Sequence, residues 1–145
     1  MGHIKATIAA LCIVLLSSTA VHAQAAGAEA AAMALRGYDT VAYFADGRAV
    51  MGSAEHQHVW DDARYQFASA NHRATFIADP DRYAPQFGAL CATGLSKGKE
   101  IEADPTIWRI VDGKLYIFSS AKAREMADKD PAMLERTRQA HLQKK

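Results

Sequence analysis

Cysteine is scarce in this chain: its 145 residues include two, Cys12 and Cys91. Cys12 lies in an N-terminal apolar stretch that reads as a cleaved signal, so Cys91 has no partner in the mature chain and a disulfide framework is excluded. Long hydrophobic runs are missing as well. The wholly apolar stretch from Ile8 to Leu16 is well short of the ~20 residues that a membrane-spanning helix needs, and no later stretch is apolar enough to span. Neither charge dominates, with 17 Lys plus Arg against 16 Asp plus Glu. A near-neutral chain without a basic block argues against nucleic acid as a partner, because phosphate binding draws on clustered Lys and Arg. Arg136, Arg138, Lys144 and Lys145 read as a solvated helix face. There is no glycine-rich phosphate loop, no serine in a nucleophile elbow and no motif that pairs the acids, so classical hydrolase chemistry gets little support. No internal repeat, low-complexity linker or second domain stands out.

What is present begins with export. Lys5 gives a short positive start, the apolar run follows, and Val21-His22-Ala23 fits the small-x-small cleavage rule, which predicts a signal peptide over residues 1–23 and a periplasmic or secreted product. Cleavage after Ala23 removes Lys5 and no acid, leaving 16 basic and 16 acidic residues in a chain of 122, the 145 less 23. That length suits one domain that buries a core without staples. Residues 24–35 have helix propensity without an amphipathic pattern and read as a flexible or helical leader.

Further along, Gly37 to Thr40 reads as a turn and Val41 to Phe44 as a β-prone run, with Asp46-Gly47 turning back toward Arg48–Met51 as a first hairpin. His56–Trp60 and Ala63–Phe67 around Asp61-Asp62 form a second hairpin, whose alternation puts His56, His58 and Trp60 on one face. Ser69 caps a helix to about Ala78, with Phe76 and Ile77 inward, and Asp79-Pro80 stops it. Residues 93–99 read as a loop with at most one helical turn. Ile107–Val111 and Lys114–Phe118 around Asp112-Gly113 form the strongest hairpin signal in the chain. Ser119 or Ser120 caps the next helix, and Pro131 opens a last one ending near Leu142. The expected fold class is α+β, a small single domain of short antiparallel β-hairpins packed with segregated helices. Trp60, Phe67, Phe76, Trp108, Tyr116 and Phe118 are its candidate core, each contributing roughly 1.5–3 kcal/mol when buried.

The ordered motifs Gly37-Tyr38-Asp39-Thr40-Val41-Ala42-Tyr43-Phe44, His58-Val59-Trp60, Tyr65-Gln66-Phe67-Ala68-Ser69, Asp79 to Gly88, Cys91-Ala92 and Val111 to Tyr116 resemble the YHS domain, in particular its exported (seleno)protein group. The resemblance runs from about Leu35 to Phe118. It implies a YHS-like domain over 36–118 followed by C-terminal helices over 119–145. The family is related to modules that accompany copper and other heavy-metal transporters, and selenium replaces sulfur in some members, which together imply a soft-ligand or redox role at Cys91. This chain has Ala68 where the metal-associated modules place a Cys, which excludes a multi-thiolate centre. It also reads Phe87-Gly88-Ala89-Leu90 where relatives read Tyr-Gly-Gly-Tyr.

Three functions follow. The first is a module that binds or handles a soft transition metal, copper before zinc, through Cys91 and His58 with His56 third and Met51 a weaker donor, in exchange with a metal-handling protein. A single-cysteine redox or peroxide-reactive thiol is the second, with His58 or His72 beside Cys91. In the third, Cys91 packs and the domain binds a partner without catalysis. The cluster Asn71-His72-Arg73 reads as a solvated helix face.

Overall fold

A computed structural model describes residues 31–144; the expected signal peptide, its cleavage site and most of the leader lie outside them. The described chain is a small α+β domain with two separate small sheets. Strand β1 (Ala32–Met33) pairs in parallel with β3 (Ala63–Phe67), which pairs antiparallel with β2 (Ser53–Trp60), and β4 (Asp104–Val111) pairs antiparallel with β5 (Lys114–Phe118). Helical segments are α1 (Ala42–Ala45), α2 (Ala70–Ala78), α3 (Pro80–Tyr83), α4 (Ala92–Ser96), α5 (Ala121–Lys129) and α6 (Pro131–Leu142).

These elements are two copies of one unit. The hairpin β2–β3, the helix α2 and the start of α3 recur as β4–β5, α5 and the start of α6, each bound 51 residues further on, as Ser53 to Asp104 and Pro80 to Pro131. Even the register irregularity recurs: Ser53 faces Phe67 and Gln57 faces Gln66, as Asp104 faces Phe118 and Trp108 faces Ile117. For Met33 to Asp39 the offset is 52. The parallel pair Met33–Arg64 returns as Pro85–Leu115, and the bridge Tyr38–Met51 returns as Leu90–Glu102. The absence of a repeat in the sequence reading is therefore corrected. Asp61, Tyr65, Phe67, Ser69, Arg73, Asp79 and Pro80 match Asp112, Tyr116, Phe118, Ser120, Arg124, Asp130 and Pro131. Most of these are turn, cap and core positions, where backbone geometry restricts the residue, while the surface between them has diverged.

The local chemistry is the same in both copies. Asp61-Asp62 and Asp112-Gly113 hold the positive φ angles, 48° and 59° then 50° and 70°, that a two-residue hairpin loop with right-handed strand twist requires. Ser69 and Ser120 each accept a helix N–H at 3.1 Å, from His72 and Ala123. Asp79 and Asp130 cap the following helices from Arg82 and Met133, and Pro80 and Pro131 fill the first turn, where a missing N–H costs nothing.

Three local expectations are overturned. Val41–Phe44 is a helical turn rather than a strand, because the Asp39 carboxylate accepts the N–H groups of Val41 (2.9 Å) and Ala42 (3.3 Å) and nucleates it. The return chain is tied by Asp39 N–H to Val50 O and Gly52 N–H to Gly37 O, both 2.8 Å. A Cβ on Gly52 would lie 2.4 Å from the Gln66 carbonyl carbon, so only glycine allows that approach. Ile77 is 47 % exposed while Phe76 is fully buried. Finally, Ala32–Met33 is a strand rather than leader, and Leu35 sits in the core at φ 44°.

Two buried clusters follow. One gathers Leu35, Tyr43, Phe87, Cys91, Leu115, Tyr116, Phe118 and Leu134, with Trp108 half-buried against it; the other gathers Val41, Tyr65, Phe67, Phe76 and Ala84, with Trp60 half-buried beside them. The segment from Asp79 to Cys91 joins them. It leaves the second cluster at Ala84, bonds Gln86 N–H to Leu115 O (3.0 Å) along β5, and enters the first at Phe87.

Candidate functional site

Cys91 is 1 % exposed and lies at the N-cap of α4. Its Sγ accepts the Gly94 N–H at 3.4 Å and the Ser119 hydroxyl at 3.3 Å, and its own N–H is bonded to Ile101 O at 2.8 Å. The repeat explains this arrangement. Cys91 occupies the position of Asp39, whose Oδ1 takes the N–H three residues on and whose Oδ2 takes the Ala68 N–H at 2.8 Å; Ala68 is the counterpart of Ser119. The thiol is thus the second copy's cap acceptor.

The proposed ligand partners stand elsewhere. His58 is half-buried on β2 opposite Tyr65, with its ring edge-on at 6.4 Å to Phe76, a member of the second cluster, whereas Cys91 belongs to the first. His56 falls among the three residues, 54–56, that bulge out of the ladder between Ser53 and Gln57, so the two-residue alternation expected to align it with His58 is broken there. Met51 is exposed and bridges to Tyr38. Among the described residues no three His, Cys, Asp or Glu side chains are grouped to hold a metal ion. Cys91, His58 and His56 therefore do not form a three-donor site in this geometry.

The geometry instead brings together a pair that sequence spacing did not connect. Asp39 is wholly buried, and its Oδ2 lies 2.7 Å from His72 Nδ1, with the His72 side chain 16 % exposed. One carboxylate thus meets three backbone N–H groups and an imidazole, and ties the Gly37–Thr40 turn to the end of β3 and the start of α2. His72 belongs to this junction rather than to a solvated face. Among the described residues no hydroxyl or thiol is hydrogen-bonded to its second ring nitrogen.

A groove of about 780 Å³ lies between the tips of the two hairpins and above the connecting segment. Trp60, Asp61 and Tyr65 form one side, Asp112 to Lys114 with Arg138 and His141 the other, and Ala84 to Gly88 the floor. Tyr65 is 5 % exposed, and its hydroxyl has no hydrogen-bond partner among the described residues, although it is not among the atoms sealed from solvent. Burial, aided by the negative charge of Asp61, pushes its pKa up to about 12. The phenol is therefore protonated at neutral pH and able to donate.

Compared with protein-family models, curated proteins and solved structures, the chain matches none.

Proposed function

We propose that this chain is an exported YHS-type binding module whose working surface is the groove between its two repeated hairpins, with Cys91 serving as a packed cap. The observation that carries this reading is the groove itself: a volume within the roughly 300–1,000 Å³ of small-molecule sites, placed on the Asp79–Gly88 motif and reached by a buried side chain with an unused hydroxyl. The two hydrogen bonds to Cys91 Sγ and its 1 % exposure support the second half, since they engage the sulfur at a helix end within a core cluster.

Elemental analysis and copper and zinc titration of the protein and of Cys91→Ser test the assignment of the thiol. The expected result is no metal equivalent that depends on the sulfur. About one equivalent of copper or zinc, lost in the variant, would restore the metal-handling function through Cys91 and its histidine partners.

A further inference from the structure

The groove's walls differ in charge because the two copies of the repeat have diverged around it. Asp79 and Asp81 stand with Asp61 on the side of the first copy, with Arg82 the one cation among them. The second copy carries Lys114 where the first has Ala63; Arg138 and His141 stand near it, and Asp112 is the one acid on that side. Lys114 Nζ has only the Asp112 carbonyl at 3.5 Å, and Asp81 has no hydrogen-bonded or ionic partner among the described residues. Arg138 is held by Glu135 through two bonds of 2.8 and 2.6 Å, so its charge is largely offset and Lys114 carries the positive character of this wall.

Between the walls the groups are neutral and able both to give and to take hydrogen bonds. The Tyr65 hydroxyl and the Gln86 side-chain amide line the groove, and neither is hydrogen-bonded among the described residues. Peptide units offer the complementary N–H and C=O, and the half-buried Trp60 ring adds an apolar face. A purely anionic ligand would meet Asp79 and Asp81, and a purely cationic one would meet Lys114; like-charge contact of this kind selects against both. We propose that the groove binds a short peptide of mixed charge, with its ammonium group toward the Asp79–Asp81 side, its carboxylate toward Lys114, and its amides against Tyr65 and Gln86. This rests on the groove being the working surface.

The test follows Trp fluorescence and amide chemical shifts of the full chain during titration with three compounds: a free tetrapeptide of lysine, two glycines and glutamate; its acetylated form with lysine replaced by glycine, which is purely anionic; and its amidated form with glutamate replaced by glycine, which is purely cationic. The mixed-charge peptide should saturate, with shifts at Tyr65, Gln86 and Lys114, and should bind about ten-fold more weakly to Tyr65→Phe and to Lys114→Gln. Each single-charge compound should bind at least ten-fold more weakly than the tetrapeptide. Equal binding of a single-charge compound that still depends on Tyr65 would overturn the mixed-charge ligand while leaving the groove a binding surface. No Tyr65-dependent binding of any of the three would overturn both.

Discussion

Asp39→Asn is the substitution that most directly tests how this domain is held together. The side chain keeps its shape and Oδ1, so the bonds from Val41 and Ala42 survive, but the atom at Oδ2 becomes an NH₂ group facing the Ala68 N–H at 2.8 Å and His72 Nδ1 at 2.7 Å. His72 can answer by changing tautomer and accepting; the Ala68 N–H can only donate and is left without an acceptor. An orphaned donor in such a site costs about 1–3 kcal/mol, and exchanging charge-assisted bonds for neutral ones adds about 1 kcal/mol. The expected loss is therefore about 3 kcal/mol, a large fraction of a typical stability of roughly 5–15 kcal/mol. Urea unfolding followed by circular dichroism should show the midpoint falling at unchanged m-value. His72→Ala should cost less, about 1–2 kcal/mol, because the three backbone donors keep their acceptor. The double variant should lose less than the sum of the two, because the residues share one bond. A loss below about 1 kcal/mol in Asp39→Asn would refute the idea that this carboxylate organises the junction.

Three further outcomes are expected. Cys91→Ser should keep the α4 cap and remain within about 1 kcal/mol of the parent in thermal melts, whereas Cys91→Val, apolar and without an acceptor, should cost about 1–2 kcal/mol; the reverse order would refute the capping role. Burial, with Asp61 beside it, holds the Tyr65 pKa up at about 12, above that of a free phenol, so its stabilising contribution is complete below about pH 10 and is lost as pH rises through about 12. Phenolate absorbance should thus lag behind that of unfolded chain, and Tyr65→Phe should flatten the loss of stability in that window; no change in slope would contradict the assignment. Phe76→Ala should cost about 3–5 kcal/mol by opening a cavity in the second cluster, while Ile77→Ala, at an exposed site, should stay within about 0.5 kcal/mol by the same denaturation assay.

What the sequence alone determined was local. Asp61-Asp62 and Asp112-Gly113 set their hairpins, and Ser69, Ser120 and Pro131 set helix starts, because each acts on backbone groups within three or four residues. Those signals were enough for the α+β class and for the bounds of β3, α2, β5, α5 and α6, while β2 and β4 each begin three residues earlier than their apolar patterns mark. Tertiary structure decided the rest. Val41–Phe44 has strand propensity but obeys Asp39 and the α2 junction, and His72 meets a carboxylate 33 residues away that no spacing rule connects to it. The bulge at 54–56 separates His56 from the face of His58, and the two clusters hold His58 and Cys91 apart. The repeat was legible only after folding: its counterparts agree mainly where a turn, cap or core position restricts the side chain, and everywhere else different residues satisfy the same backbone. Sequence left a lone thiol open between metal ligand, redox group and packed residue because its surroundings were unknown; its equivalence to Asp39 in the repeat makes it an acceptor for a helix end, a role that only three-dimensional equivalence could assign.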